Sequence, residues 1–227
     1  MDYVKETRLA YIEKYRAKEY HRHLTREISW ARFVTWREKK CVEKAFGSCE
    51  IDKDDIIIDL PCGTGILADE VIAAGGAVIA ADISVAMMEI AGEHYSATQF
   101  KGFMNADITH IPLRQESIAC AIVIGLMHRV PPEVRVAALN ELSRITFRYI
   151  VVSFSVDTFL QKIKKRLLRW LFSEKILAPS PERFSEICAI VDASGMQVSG
   201  VFRPMPFFSS EIILLLKKRP ITETIRQ

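Results

Sequence analysis

The chain has 227 residues, 49% of them apolar and 26% charged, proportions that exclude a disordered, collagen-like or coiled-coil chain. Its longest apolar stretches, around residues 121–127 and 212–216, fall far short of the roughly 20 residues a membrane-spanning helix needs. The formal charge of +3 is small but unevenly spread: residues 1–50 hold 12 Lys and Arg against 8 Asp and Glu, residues 51–154 hold 7 against 13, and residues 155–175 hold 6 against 2. An acidic block between two basic additions suggests additions with tasks of their own, a solvated charged face being the plainer reading. The first residues carry mixed charge and lead into no apolar run, so no secretory signal is expected. Five scattered cysteines without paired spacing argue against a disulfide framework or a zinc site; no metal is expected, and a reducing cytoplasm is the expected home.

In chain order, residues 3–24 and 28–46 read as two helices with aromatic and basic residues interleaved, separated at Thr25-Arg26-Glu27 and stopped by Gly47. The period then changes. A β-branched run, residues 55–60, meets Pro61-Cys62-Gly63-Thr64-Gly65, and a helix is expected over 66–74. A strand over 77–81, a helix over 85–95 capped by Ser84, a strand near 101–105 and a strong apolar strand over 118–124 follow. Pro131-Pro132-Glu133 opens a helix with Val134, Ala138, Leu142 and Ile145 on one face, and a strand over 149–154 comes next.

Strands and helices in strict alternation predict a parallel sheet covered on both faces. A basic amphipathic segment, 159–172, interrupts the alternation; it suits a packed surface helix, a lid or a peripheral contact with an anionic membrane. Ser180 as N-cap and Pro181 at the first helical position predict a helix to Gly195. Two strands, 196–202 and 211–217, are joined too briefly for a crossover and should pair antiparallel.

The chemistry is expected at the first strand-to-helix turn. Gly63 and Gly65 let backbone approach a ligand at the strand ends, where open α/β sheets bind. Gly63-x-Gly65-x-x-Ala68 also fits a dinucleotide fingerprint, so the glycines alone do not select a cofactor. Asp59, four residues earlier, would repel a pyrophosphate and favour an ammonium or sulfonium. Asp82, at the end of the second strand, is placed for the hydroxyls of a ribose.

On these residues, with Asp107 after the third strand, Gly125-Leu126-Met127-His128 after the fourth and the closing strand pair, the chain from about residue 50 to 220 resembles the class I S-adenosylmethionine-dependent methyltransferases. The resemblance implies an α/β, Rossmann-like seven-stranded sheet, mostly parallel with an antiparallel last strand, and helices on both faces. Residues 1–50 would be a helical lid, and 51–227 the methyltransferase domain with a basic insertion at about 155–178. It implies S-adenosylmethionine as cofactor, held by Asp59 and the loop Pro61, Cys62, Gly63, Thr64 and Gly65. Asp82, Ile83 and Met87 would meet the ribose and adenine, Asp107 and Ile108 the adenine amino edge, and Gly125 and Leu126 the amino acid end. Met87 equally suits the core, and Asp107 a loop cap. Cys62 reads as a small packed residue, since methyl transfer from a sulfonium needs no covalent enzyme intermediate.

The expected activity is methyl transfer to an oxygen or nitrogen of a small molecule or of a lipid- or glycan-linked acceptor. His128 is the expected general base, a histidine bonded into the Pro131-Pro132 turn being the alternative. Tyr15, Tyr20, Arg32 and Arg129 are the expected acceptor contacts. The fourth strand lacks the Asn/Asp-Pro-Pro-aromatic ending of enzymes that methylate nucleic acid bases, and no RNA-binding module is recognisable, so no nucleic acid partner is expected. The pattern is most similar to small-molecule members, including those of quinone biosynthesis, and more weakly to members associated with cell-surface glycolipids. A non-catalytic cofactor-binding regulator and a nicotinamide oxidoreductase are the competing classes, and the oligomeric state is not legible.

Overall fold

The computed structural model describes residues 17, 21, 22, 30–156, 182–205 and 210–219. Five helices and seven strands follow in order: α1 (Trp30–Phe46), β1 (Ile56–Asp59), α2 (Ala68–Ala73), β2 (Ala77–Asp82), α3 (Val85–Ala91), β3 (Phe100–Asn105), β4 (Ile118–Val123), α4 (Pro132–Ile145), β5 (Thr146–Ser155), α5 (Phe184–Ala193), β6 (Met196–Phe202) and β7 (Glu211–Lys218). A 3₁₀ turn, Met127–Arg129, follows β4.

The strands form one sheet in the order β3-β2-β1-β4-β5-β7-β6. β1 pairs in parallel with β2 on one side and β4 on the other, as Ile58 opposite both Ile79 and Ala121 shows. β7 lies antiparallel between β5 and β6, so the expected strand pair is present. Because successive side chains of a strand face opposite ways, the buried runs divide between two cores. Ile58, Ala121, Ile150 and Leu214 face α4 and α5. Ile57, Cys120, Val151 and Ile213 face α1 and α2. Strands buried on both faces account for the nearly unbroken apolar runs of β4 and β7. The chain reverses its strand order between β1 and β4, leaving a crevice outside their carboxyl ends.

Three expected helices begin or end elsewhere. α3 stops at Ala91, not residue 95, because Gly92 closes it and the following turn carries Tyr95 inward to a nearly fully buried position. The helix expected from Pro181 begins at Phe184: the Glu182 backbone N–H donates to the Ser155 carbonyl at 3.1 Å, and its carboxylate pairs with Arg135, which keeps the chain extended through Arg183. The Arg183 N–H then donates to the Glu186 carboxylate at 3.1 Å, capping the helix from within. Helix α2 starts two residues late, at Ala68, after the glycine turn. The expected helix over 3–24 lies outside the described residues except at positions 17, 21 and 22, and the segment 159–172, with Ser180 and Pro181, lies outside them altogether.

α1 is anchored on the sheet at several points. Cys41, Val42, Ala45 and Phe46 enter the core, Lys39 pairs with Glu70 of α2 at 3.0 Å, and the Arg37 Nε donates to the Pro204 carbonyl at 2.8 Å. Its other inward residues roof the crevice.

Candidate active site

The carboxyl ends of β1, β2 and β4 open into one cavity of about 410 Å³. Asp59, the last residue of β1, is 2% exposed, and its carboxylate accepts a 2.5 Å hydrogen bond from the Tyr95 hydroxyl. Burial, reinforced by the charge of Asp82 and opposed by the Tyr95 hydrogen bond, pushes the Asp59 carboxyl up to about 7. Asp82, the last residue of β2, accepts the Gly63 N–H at 2.9 Å on one oxygen and the Ser84 N–H at 2.8 Å on the other. Burial raises its carboxyl above the usual range against the pull of those N–H groups. Each oxygen keeps acceptor capacity toward the cavity, since an ionised carboxylate has about four lone-pair sites.

The glycine turn is shaped by two different demands. Gly63 has a φ of +54°, and a Cβ there would meet nothing within 4 Å, so its backbone faces open space. Gly65 has a φ of +78°, and a Cβ there would lie 3.1 Å from the Ala91 Cα, so it serves close packing against the end of α3. Cys62 is buried, and burial followed by the charges of Asp59 and Asp82 pushes its thiol up, away from the thiolate a nucleophile requires.

The opposite wall comes from α1, the turn after β4 and the first residue of β7. Val34, Thr35 and Glu38 project from α1, with Ile124, Gly125, Leu126, His128 and Arg129 after β4 and Glu211 on β7. Gly125 has a φ of +77° and donates its N–H to the buried Ser153 hydroxyl at 2.8 Å. The Arg129 Nε donates to the His128 Nε2 at 3.3 Å. Burial first, then the charge of Arg129, lowers the His128 imidazole below its ordinary value, opposed by Glu211.

The cavity thus gathers Asp59, Pro61, Cys62, Gly63, Thr64, Asp82, Ile83, Met87, Gly125, Leu126, His128 and Arg129. Gly65, Asp107 and Ile108 are not on its wall. Asp107 accepts the Thr109 N–H at 3.0 Å and the Thr109 hydroxyl at 2.9 Å, the loop-cap role, and Ile108 is buried in the core. Arg32 sits on the exposed side of α1, away from the cavity. Tyr15 and Tyr20 lie outside the described residues.

Residues 57–147 match a family described as a methyltransferase domain. Over 162 residues the chain is 30% identical to a demethylmenaquinone methyltransferase of Mycobacterium sp. (strain KMS), a match covering 70% of this chain and 62% of that protein. The fold superposes on the magnesium protoporphyrin IX methyltransferase of Synechocystis PCC 6803, solved with bound SAH, with a TM-score of 0.75 and 17% identity over 96% of this chain and 97% of that one. It also superposes on human N-acetylserotonin methyltransferase in complex with SAM, with a TM-score of 0.68 and 16% identity over 97% of this chain and 61% of that one. Residues 57–147 thus carry a methyltransferase domain, and the whole described sheet has the fold of methyltransferases solved with SAM or SAH. The chain spans about 62% of the length of the first curated relatives it matches.

Four contributors to this site escaped the reading of the sequence. Glu38 had a usable signal: Ala31, Val34, Thr35, Glu38, Val42 and Ala45 fall on one helical face, and a carboxyl on an inward stripe is a departure that asks for a reason. Glu211 merely precedes an apolar strand, a position that carries no signal. Tyr95 and Ser153 act on Asp59 and Gly125 across 36 and 28 residues, a distance local patterns do not span. From the N-terminal segment, His21 meets the Thr64 hydroxyl through Nδ1 at 3.1 Å and lies against the His94 ring, and Ala17 packs on Met87 and Ile90. His21 therefore touches the glycine turn directly.

Proposed function

We propose that the chain transfers the methyl group of S-adenosylmethionine to an oxygen or nitrogen of a small molecule. The observation that carries this reading is the pair of buried carboxylates, Asp59 and Asp82, at the ends of adjacent strands beside the exposed backbone of Gly63. Two buried carboxyl groups facing a cavity, each ionised more readily beside a cation, suit a ligand that brings positive charge and hydroxyl donors. The open space at Gly63 and Gly125 suits a ligand lying against main chain. A pyrophosphate, by contrast, would be repelled.

Gly63, Thr64 and Asp82 hold the cofactor in this reading, with Met87 and Ile83 against its adenine. Bound there, S-adenosylmethionine supplies a methyl group on a positively charged sulfur, already activated toward nucleophiles. What remains for the protein is positioning, exclusion of water and removal of one proton from the acceptor. α1 forms the roof that excludes water. His128 is the proton acceptor: its lowered basicity keeps it neutral at cytoplasmic pH, and the Arg129 hydrogen bond to Nε2 opens when a proton arrives. Similarity to proteins named demethylmenaquinone methyltransferase supports an acceptor of small-molecule size.

The test is transfer of isotopic methyl from labelled S-adenosylmethionine to components of a cell extract, resolved by mass. A labelled small molecule that forms only with the intact protein is the expected result. Donor binding without any labelled product would reduce the protein to a cofactor-binding regulator.

A further inference from the structure

The two acids at the strand ends are held in different ways. Both oxygens of Asp82 are fixed by main chain, through the Gly63 and Ser84 N–H groups. Asp59 lines the same cavity, yet among the described residues its carboxyl takes one hydrogen bond only, from the Tyr95 hydroxyl to Oδ2. Oδ1 therefore has no donor and Asp59 no ion-pair partner among those residues. A buried carboxyl in that condition draws its second partner from a ligand.

The single contact is built from several elements. Tyr95 is 4% exposed and does not line the cavity, so it can reach a ligand only through Asp59. Its ring stacks on Phe100 of β3, with centroids 5.1 Å apart and planes 28° apart, and meets Phe103 edge-on at 5.9 Å. Phe100 and Phe103 are themselves in contact at 4.9 Å, which leaves the phenol ring little freedom to swing. The Tyr95 N–H donates to the Ala91 carbonyl at 3.1 Å, and Ala91 is the residue against which Gly65 packs. The turn that delivers the hydroxyl to Asp59 is thus seated on the glycine turn. Asp82 and Cys62 are the titratable groups on the cavity side of Asp59, and Glu70 of α2, paired with Lys39 of α1, acts on Tyr95 from behind.

We propose that Tyr95 is the positioning residue of the donor site: by holding Oδ2 it aims Oδ1 of Asp59 at the ammonium group of the donor's amino acid end. This rests on the methyltransferase reading and adds a residue that touches neither donor nor acceptor. An aspartate already fixed by a rigid aromatic ring loses little freedom when the ligand arrives, and the hydroxyl, a hydrogen-bond donor, favours the charged carboxylate that an ammonium needs.

Calorimetry on the full chain tests this with S-adenosylhomocysteine, which carries the ammonium, and 5′-methylthioadenosine, which lacks the amino acid end. Tyr95→Phe keeps the ring and its packing; it should weaken S-adenosylhomocysteine about fivefold or more and change methylthioadenosine by less than about twofold. S-adenosylhomocysteine affinity should rise with pH as Asp59 ionises, near pH 7 in the unaltered protein, and Tyr95→Phe should move that rise to higher pH because the hydrogen bond it removes favours the ionised form. In an Asp59→Asn background the same substitution should add less than about twofold, since Tyr95 acts through that carboxyl. Unchanged S-adenosylhomocysteine affinity, equal loss of both ligands, an unmoved pH profile or full additivity with Asp59→Asn would each overturn the role. Failure of S-adenosylhomocysteine to bind the unaltered protein would instead overturn the methyltransferase reading.

Discussion

Asp59 keeps its proton to about pH 7 when folded, against an ordinary carboxyl near 3.8. Between those values the folded state binds more protons than the unfolded one, so this residue makes stability fall as pH rises from about 4 to about 7. The integrated effect is of the order of a few kcal/mol. Asp59→Asn should flatten that part of the pH–stability curve measured by denaturant unfolding without ligand; an unchanged slope would show that Asp59 is already ionised. His128 is perturbed the other way, its imidazole lowered. If it receives the acceptor proton, His128→Gln should lower the maximal rate by about 10²-fold, leave cofactor affinity nearly unchanged and remove an acidic limb lying below the ordinary histidine range. A stable variant with normal turnover and an unaltered pH profile would leave catalysis to positioning alone.

Elements carry the site because each ends where a functional group is needed. β1 and β2 end in Asp59 and Asp82, and β4 runs into Gly125 and the turn that presents His128. α4 holds the far side of the sheet through Ala138, Leu139 and Leu142, all fully buried. Leu142→Ala should cost about 2–5 kcal/mol of unfolding free energy in a denaturant titration, and less than about 1 kcal/mol would mean that the helix is not seated as described. The N-terminal segment reaches the glycine turn through His21 and Thr64. Deleting residues 1–24 should leave cofactor affinity within about tenfold, roughly 1.4 kcal/mol, and remove most turnover. Full turnover in the shortened protein would refute a roof role for that segment.

At the scale of the whole molecule, the sheet was readable because its strands are short β-branched runs punctuated by glycine and proline. Ile56–Ile58 before Pro61 and Ile118–Val123 before Gly125 could hardly be placed otherwise. The glycine turn and its two acids were legible for the same reason, since their spacing is local. What could not be read is what tertiary packing supplies. Tyr95 is held inward by its hydroxyl on Asp59 and its ring on Phe100, and Glu182 resists helix formation because Arg135 and Ser155 hold it extended. Glu38 and Glu211, 173 positions apart, line one cavity only because α1 packs across the sheet.

The most direct measurement is calorimetric titration of S-adenosylhomocysteine into the unaltered protein and Asp82→Ala, with NAD and NADP as controls. The account expects S-adenosylhomocysteine to bind at micromolar or tighter affinity, a loss of about 1.5–3 kcal/mol on removing the Asp82 carboxylate, and no binding of either dinucleotide. Equal binding of NAD, or an affinity for S-adenosylhomocysteine that ignores Asp82, would contradict it.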